Sequence, residues 1–410
     1  MHVELITIGS ELLAGRTLNT NAQFVGDQLA RVGLQLARQI SIPDDHDVII
    51  STIRDCLTRS DWVIISGGLG PTNDDVTKKA LARAFDRQLI YHDDILQRLK
   101  ERFVRAGRAV NEHLQMQALL PANAEFIPND VGTAVGILIR EGNKCVVAVP
   151  GVPREMEPMI RDHIVPAIAS TLSQRYETRA WSTTGLPESE LYTRLEPLIT
   201  AMPDVSVAFY PSPLGVKVRI TAVGPDALNA LQRFADQARE LIGNAAYAEA
   251  DIGLEEVVGQ LLAEQKKTVA LAESCTGGLA AKRLTDVPGS SSYVFGGFVA
   301  YDNEAKIHLV GVDRSLIVEH GAVSPEVARA LAEGALAKCR TDFGIGITGI
   351  AGPSGGTDEK PVGLVWFGLA EKDRDTLTER RHFLGNREMI RERAAQHALN
   401  MLRLRLQYAV

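Results

Sequence analysis

The stretch Ala270-Leu271-Ala272-Glu273-Ser274-Cys275-Thr276-Gly277-Gly278 decides how the last part of this chain folds. The apolar run Val269–Ala272 predicts a buried strand, and the residues that begin at Leu279 predict a helix. Between them lie a carboxylate, a thiol and two hydroxyls, at a helix N-terminus whose first N–H groups lack helical partners. A strand that feeds a helix is typical of an α/β fold. The polar residues indicate either a reaction site or a simple helix cap.

The size and composition of the chain favour a globular protein with two or three domains. It has 410 residues, of which 45% are hydrophobic and 23% charged, and a net charge of -7. This acidic balance argues against nucleic acid or an anionic membrane as a general partner. No apolar run reaches transmembrane length, and Met1–Ser10 predicts a strand rather than a signal peptide. The four cysteines include no CxxC pair, so we expect a cytoplasmic protein without a zinc site or a disulfide framework.

Three segments with different patterns divide the chain. Residues 1–171 alternate apolar strands with amphipathic helices, and an antiparallel hairpin is predicted between Val135 and Val149. This alternation predicts an open, mostly parallel α/β sheet. Residues 172–250 predict a small α+β module, and residues 251–410 return to α/β alternation.

A glycine-rich loop follows the predicted strand Trp62–Ser66. It is Gly67-Gly68-Leu69-Gly70-Pro71-Thr72-Asn73-Asp74-Asp75, and its glycines would let backbone N–H groups approach a phosphate. Asp75 lies where a helix N-cap is expected. Asp74 is explained either by a divalent cation that bridges to a pyrophosphate or by a solvated acid.

Two further loops follow predicted strands of the same sheet. They are Gly9-Ser10-Glu11 and Pro150-Gly151-Val152-Pro153, and both lie at the carboxyl edge, where ligands of open α/β sheets bind. Either Asn19 or Asn21 is predicted to cap the helix that comes after the first of these loops.

These loops resemble the molybdopterin-binding, MoaB/MogA-like domain that opens CinA proteins, over about residues 1–170. The resemblance implies a metal-dependent ADP-ribose pyrophosphatase. It implies a divalent ion (Mg, Mn or Co), for which the predicted ligands are Asp74, Asp75 and Glu11. The predicted nucleotide-binding residues are Ser10, Glu11, Asn19, Gly67, Gly68, Gly70, Pro71, Thr72, Gly151 and Pro153.

A second candidate site lies around Ser274, where amide hydrolysis would need a nucleophile, a base and donors for the oxyanion. Ser274 is one candidate nucleophile. Cys275 is the other, because a thiolate at a helix start would have a lowered pKa. Lys306 is the candidate base: if Asn303 caps a helix, Lys306 falls in its first turn, where the dipole would lower the pKa of the amine. Tyr301 could orient the proton, and the alternative for Lys306 is a solvated surface lysine.

The C-terminal segment resembles the PncC-like nicotinamide mononucleotide (NMN) amidohydrolase half of the CinA family, over about residues 255–410. The resemblance rests on four blocks: Ala272-Glu273-Ser274-Cys275-Thr276-Gly277-Gly278, Tyr301-Asp302-Asn303-Glu304-Ala305-Lys306, Thr348-Gly349-Ile350-Ala351-Gly352-Pro353, and Glu359-Lys360-Pro361-Val362-Gly363. It implies Ser274 as the nucleophile, with Lys306 and Tyr301 as the other catalytic residues and no cofactor in this domain.

Further residues of this segment are predicted to bind the substrate. Thr348 to Pro353 offers either N–H donors or a tight turn, and the loop that ends at Lys360 could close over the substrate. Arg387 and Arg391 share a helix face, so either one holds a 5′-phosphate or both belong to a solvated basic face. The predicted substrate-binding residues are Glu273, Thr276, Gly277, Gly278, Asn303, Thr348, Gly349, Ala351, Gly352, Lys360, Arg387 and Arg391.

The middle segment, residues 172–250, resembles the KH-type domain of longer CinA proteins but contains no GxxG loop for RNA. We therefore expect a spacer or a dimerisation element, in a homodimer. The resemblance to the CinA family over the whole chain implies a bifunctional hydrolase of pyridine-nucleotide salvage, an NMN deamidase and ADP-ribose pyrophosphatase whose partners are small nucleotides. The alternatives are a non-catalytic N-terminal module that binds a nucleotide or pterin, and a competence factor that acts on DNA.

Overall fold

The protein is described by a computed structural model that covers residues 1–70, 76–105, 107, 113–172, 174 and 176–408. The chain forms two compact units. One comprises Met1–Thr178 with Val223–Ala227, and the other comprises Arg179–Ala222 with Leu228–Val410. Across the described residues, every helix is too short or too polar to cross a membrane.

The first unit is built around a six-stranded, mostly parallel sheet. The strands of this unit, including two outside that sheet, are β1 (Val3–Ile8), β2 (Leu36–Ile42), β3 (Trp62–Ser66), β4 (Leu89–Tyr91), β5 (Leu119–Pro121), β6 (Glu125–Ile127), β7 (Gly136–Glu141) and β8 (Lys144–Val149). The order is β2-β1-β3-β8-β7-β6, with β4 and β5 as a separate antiparallel pair. Strands β2, β1, β3 and β8 are parallel, and β7 and β6 are added antiparallel, which confirms the predicted α/β sheet and its hairpin.

Helices cover this sheet because its central strands are apolar on both faces. The helices are α1 (Ser10–Leu13), α2 (Thr20–Ala30), α3 (His46–Arg59), α4 (Thr77–Ala84), α5 (Asp93–Arg105), α6 (His113–Gln117), α7 (Pro153–Met159) and α8 (Val165–Ala169). Val3 and Leu5 of β1 pack into one core, and Ile6 and Ile8 pack into a second core on the other face. A parallel strand that is buried on both sides is mostly apolar, and in β1 Glu4 and Thr7 are the polar exceptions.

A four-stranded sheet follows in the middle of the chain. Its strands are β9 (Tyr176–Thr183), β10 (Val205–Ser212), β11 (Gly215–Val223) and β12 (Ala246–Ala248), in the order β10-β11-β9-β12. Two long helices accompany it, α9 (Glu188–Ala201) and α10 (Ala227–Ile242). Strands β10 and β11 pair antiparallel as a hairpin.

The C-terminal sheet has five strands in the order β14-β13-β15-β16-β17. They are β13 (Val269–Glu273), β14 (Val294–Val299), β15 (Phe343–Gly349), β16 (Leu364–Glu371) and β17 (Leu377–His382). The helices are α11 (Leu254–Glu264), α12 (Leu279–Asp286), α13 (Asn303–Ala305), α14 (Arg314–His320), α15 (Pro325–Cys339) and α16 (Arg387–Tyr408). A π-helical turn, Lys306–Val310, directly continues α13. Strands β14, β13 and β15 are parallel, so their carboxyl ends meet at one edge.

Both faces of this second α/β sheet are buried as well. Val269 and Leu271 of β13 pack into a core that includes α16, whereas Ala270 and Ala272 pack against α15. Helix α15 lies so close to the sheet that an added Cβ at Gly346 would overlap the carbonyl of Ala328, and glycine permits this approach. The two cores fix the strand ends that carry the candidate site.

Candidate active site

Ser274 lies at the carboxyl end of β13, between the ends of the neighbouring strands. Its N–H donates to the carbonyl of Ile347 in β15 at 2.9 Å. On the other side, the N–H of Ala300 donates to the carbonyl of Glu273 at 2.8 Å. The Ser274 residue is 8% exposed. The loop therefore presents a nearly buried hydroxyl at the edge where three parallel strands end.

Glu273 supplies the anion at the start of α12. Its residue is 1% exposed, and its carboxylate accepts the N–H groups of Ala281 at 2.8 Å and Ala280 at 3.2 Å. These are amides in the first helical turn, which have no carbonyl partner within the helix. The carboxylate of Glu273 thus supplies the acceptors that these two amides lack within the helix.

Cys275 is a buried thiol that faces the interior of the domain. It is 5% exposed and belongs to the core that includes α16. Burial raises the pKa of the Cys275 thiol to about 12, and the nearby carboxylate of Glu273 acts in the same direction. The lowered pKa expected for a thiolate at a helix start is therefore wrong. At neutral pH this thiol stays protonated, which makes it a poor nucleophile.

Lys306 is 2% exposed, so the alternative of a solvated surface lysine is wrong. Its Nζ donates to the carbonyl of Tyr301 at 3.1 Å. Among the described residues, no carboxylate lies within ion-pair distance of this amine. Burial lowers the pKa of Lys306, although the negative charge of Asp302 opposes the shift. The direction matches the prediction, but desolvation causes it.

The helix that contains Lys306 begins one residue earlier than predicted. Asp302 is the N-cap, and its side chain accepts the N–H of Glu304 at 2.8 Å. The prediction that Asn303 is the cap is wrong, and Asn303 is exposed as the first residue of α13. Sequence reasoning missed the role of Asp302 although the signal was present, since aspartate caps helices as well as asparagine does.

Two arginines of α16 contact the loops that follow the strands. Arg391 donates from Nη2 at 2.8 Å and from Nε at 3.2 Å to the carbonyl of Thr276. Arg387 donates at 2.6 Å to the hydroxyl of Tyr301 and at 2.6 Å to the carbonyl of Gly352. The structure thus brings the predicted Thr276, Tyr301 and Gly352 together around one end of α16.

The segment from the end of β15 to Lys360 contacts two different parts of the domain. The hydroxyl of Thr348 is buried and donates to the carbonyl of Ala322 at 2.7 Å. Lys360 donates to the carbonyl of His320 at 2.8 Å. Neither side chain is bonded to the Ser274 loop, and no sequence pattern predicts contacts with the 320–322 segment. Gly349 continues β15, and Ala351 is buried in the core.

The other residues of the Ser274 loop are two glycines that allow its turn and a threonine whose hydroxyl lacks a partner. Gly277 and Gly278 have φ values of 62° and 90°, which favour glycine. The Oγ1 atom of Thr276 is buried and has no hydrogen-bond partner among the described residues. An unpartnered buried hydroxyl beside a nearly buried serine is suited to a group of a bound substrate.

The first unit also gathers polar groups where its parallel strands end. The amide of Asn21 donates to Ser66 Oγ at 2.9 Å and to the carbonyl of Gly151 at 2.7 Å, which leaves its buried Oδ1 without a partner among the described residues. Gly67 has a φ of 117°, and an added Cβ there would overlap the carbonyl of Ile8. The edge is therefore a close-packed backbone cradle.

Other predicted residues of this edge have structural partners. Ser10 donates to the carboxylate of Asp44 from its N–H at 2.9 Å and from its hydroxyl at 3.0 Å. Asn19 is the N-cap of α2, as one of the two predicted alternatives, and its Oδ1 accepts the N–H of Ala22 at 3.0 Å. Pro153 begins α7, and Glu11 is exposed.

The rest of the predicted metal and nucleotide site is only partly described. Pro71, Thr72, Asp74 and Asp75 lie outside the described residues, whereas Gly68 and Gly70 lie within them. Within the described ranges, no three His, Cys, Asp or Glu side chains are grouped so that they could hold a metal ion. The metal hypothesis therefore stays a prediction.

Comparisons with known proteins match the whole length of the chain. Three family models match in succession: "Probable molybdopterin binding domain" over residues 4–170, "Damage-inducible protein CinA KH domain" over 178–248, and "CinA C-terminal domain" over 251–406. A protein of Symbiobacterium thermophilum, named as competence-damage inducible, is 42% identical over 418 residues, with 98% of each chain covered. A "CinA-like protein" of Dictyoglomus thermophilum is 39% identical over 406 residues, with 98% of each chain covered. The crystal structure of the competence/damage inducible protein CihA from Agrobacterium tumefaciens is 40% identical, covers 36% of this chain and 93% of its own, and has a TM-score of 0.35.

Proposed function

The chain belongs to the CinA family, and from this premise we propose that its C-terminal domain, residues 251–410, hydrolyses the carboxamide of NMN. The products are nicotinate mononucleotide and ammonia. One observation carries the proposal. A nearly buried serine directly follows β13, and a buried lysine follows the neighbouring strand β14. Among the described residues, no carboxylate lies within ion-pair distance of this lysine. A lysine that takes the proton of an attacking serine must be in its neutral form.

The proposed reaction has two stages. In the first, Ser274 Oγ attacks the carboxamide carbon while the neutral amine of Lys306 takes its proton. The C–N bond of the tetrahedral intermediate then breaks, and its amino group takes the proton from Lys306 and leaves as ammonia. In the second stage, a water molecule gives a proton to Lys306 and attacks the ester on Ser274, and the amine returns the proton to Oγ. The balance is one amide and one water converted into one carboxylic acid and one ammonia.

The environments of the two candidate nucleophiles favour the serine. A hydroxyl attacks as its proton leaves for a general base, so it does not need a low pKa of its own. A thiol attacks as a thiolate, and the pKa of about 12 at Cys275 disfavours that form. Burial lowers the pKa of Lys306, which increases the neutral fraction available as a base near physiological pH.

Ammonia release from NMN by the full chain tests this proposal. We expect Ser274→Ala to lower kcat by at least about a thousandfold, because the covalent pathway is lost. Cys275→Ala, at the adjacent buried position, is the matched control and should stay within about tenfold of wild type, since the thiol is not needed. An inactive Cys275→Ala beside an active Ser274→Ala would overturn the assignment. A wild-type chain that releases no ammonia would overturn the activity itself.

For the N-terminal domain, residues 1–171, we propose nucleotide binding at the carboxyl edge of the sheet, with metal-dependent cleavage of ADP-ribose. The cradle at Gly67 and the unpartnered Oδ1 of Asn21 support a bound ligand with a hydroxyl or amine donor. The cation would be held by Asp74, Asp75 and Glu11, and it would neutralise charge on the pyrophosphate. Of this set, only Glu11 lies within the described residues.

A metal titration of ADP-ribose cleavage separates two readings of this domain. Turnover that depends on a divalent ion and stops with a chelator supports the pyrophosphatase. Binding of ADP-ribose without turnover, whichever divalent ion is supplied, supports the non-catalytic module instead. The names of the relatives also mention competence and damage, but a net charge of -7 does not favour the alternative of a competence factor that acts on DNA. A cytoplasmic location and a homodimer remain predictions, the latter checked by light scattering.

A further inference from the structure

We infer that Arg387 and Arg391 are positioning residues of the proposed amidase, and that they fix the loops of Ser274 and Lys306 relative to each other rather than bind the substrate's phosphate. This inference rests on the proposed function. It concerns which groups α16 holds, and it differs from the phosphate-binding role that the sequence suggested for these arginines. Its first support is that both guanidinium groups already have main-chain or side-chain acceptors.

Arg391 holds the loop that carries the nucleophile. Two of its N–H groups converge on one carbonyl, that of Thr276, two residues after Ser274. The side chain is partly buried, and an added Cβ at Gly277 would lie 3.3 Å from its Nη2. Because the backbone of the loop passes so close to the guanidinium, Arg391 fills the space behind the loop. A phosphate that took the Nε–Nη2 edge of this guanidinium would leave the carbonyl of Thr276 without its donors.

Arg387 holds the loop that carries the base, through a single intermediate residue. It donates at 2.6 Å to the hydroxyl of Tyr301. The carbonyl of the same tyrosine accepts the amine of Lys306 at 3.1 Å. Tyr301 is therefore bound at both ends, by Arg387 at its ring and by Lys306 at its backbone. The position of the amine depends on where this tyrosine is held.

The two arginines have a rigid common support. Asn386 caps α16 by accepting the N–H of Met389 at 2.9 Å. Ile390, which lies between the two arginines, is buried in the core together with Ala394 and Ala398 of the same helix. Residues four apart share one face of a helix. The first two turns of α16 thus fix both loops to one element whose own position is set by the core.

Steady-state kinetics with NMN distinguish positioning from phosphate binding. For Arg391→Gln and Arg387→Gln we expect kcat to fall about 10- to 100-fold, the loss typical of a misplaced catalytic group, while KM changes less than about threefold. The inhibition constant of ribose 5-phosphate should likewise change less than about threefold. Arg391→Lys, which keeps one donor, should recover kcat at least about threefold over Arg391→Gln.

Arg393→Gln is the matched control, because Arg393 lies on the same helix and donates to a main-chain carbonyl, that of Leu384. It touches neither loop and should keep kcat within about twofold. Arg387 is exposed, so its variant should fold, and thermal unfolding checks each protein. A rise of about tenfold or more in KM and in the ribose 5-phosphate constant would assign these arginines to the phosphate and overturn the inference. An inactive wild type would instead refute the proposed function.

Discussion

Replacing Glu273 with Gln removes a negative charge from the start of α12 without changing the size of the side chain. The carboxylate accepts two amides, at 2.8 Å and 3.2 Å, and the residue is 1% exposed. A carboxamide offers one oxygen, so one of the two N–H groups loses its acceptor and faces an NH₂ group. The perturbation therefore removes one charge-assisted hydrogen bond and one favourable interaction with the helix dipole.

The expected cost follows from these two losses. A hydrogen bond to a charged group contributes about 1.5–3 kcal/mol, and an anion at a helix N-terminus contributes about 0.3–1 kcal/mol. Together they give about 2–4 kcal/mol for opening the first turn of α12. Since each 1.36 kcal/mol is tenfold in an equilibrium constant, this corresponds to about a 30- to 1000-fold loss of amide protection.

Native-state hydrogen exchange, followed by mass spectrometry on peptides that span residues 274–286, measures this loss in the full chain. Glu304→Gln is the control, because Glu304 pairs with Arg314 at 2.6 Å on an exposed surface. That variant should leave the protection nearly unchanged, because solvent screens an exposed ion pair. If Glu273→Gln changes the protection of Ala280 and Ala281 by less than about threefold, the charge does not hold this helix and the reasoning fails.

Four further results are expected. Because burial lowers the pKa of Lys306, kcat/KM for NMN should rise with pH along a limb centred below the ordinary lysine pKa, and Lys306→Arg should abolish activity at every pH tested. Lys306→Met should raise the free energy of unfolding below the lowered pKa, where burial penalises the charged amine, and this gain should vanish above the ordinary lysine pKa, as pH-dependent melts would show. In the native protein Cys275 should resist iodoacetamide at pH 8, since burial raises its pKa to about 12, and rapid labelling with loss of activity would contradict this. Gly67→Ala should lose ADP-ribose binding in calorimetry and destabilise the first unit by about 2–3 kcal/mol, because its φ is 117° and a Cβ would overlap Ile8. Gly15→Ala has open space around it and should cost only about 1 kcal/mol; equal losses would argue against the cradle.

The sheets could be predicted from the sequence because their strands are strongly patterned. Runs such as Val269–Ala272 are apolar at every position, as expected for strands buried on both faces. The loops after those runs follow from the same patterns, so the strand ends that carry Ser274 and Gly67 could be located in advance. Parallel pairing then brings such ends to one edge without any further information.

The environment of individual side chains could not be predicted in this way. Nothing local distinguishes a thiol at an open helix start from Cys275, whose burial depends on packing against α16. The contact of Lys360 with His320 joins residues 40 positions apart, and sequence periodicity carries no signal for it. The sequence predicts a substrate contact for Glu273 and gives no sign of its two donors, which lie seven and eight residues later, beyond a turn that contains two glycines with positive φ.

The π-helical turn Lys306–Val310 holds one residue more than an α-helical turn would, and the N–H of Gly311 reaches back to the carbonyl of Lys306 at 3.1 Å. Deleting any one residue between Ile307 and Val310 would let the segment relax into regular α-helix. Each residue of an α-helix turns the chain by about 100°, so the shortened segment would have to rotate either its start or its end by that amount. The number of residues in this turn is therefore constrained as well as their identity. If the start of the segment is the end that rotates, the loss of one codon moves the amine of Lys306 away from its neighbours, although every functional group is still encoded.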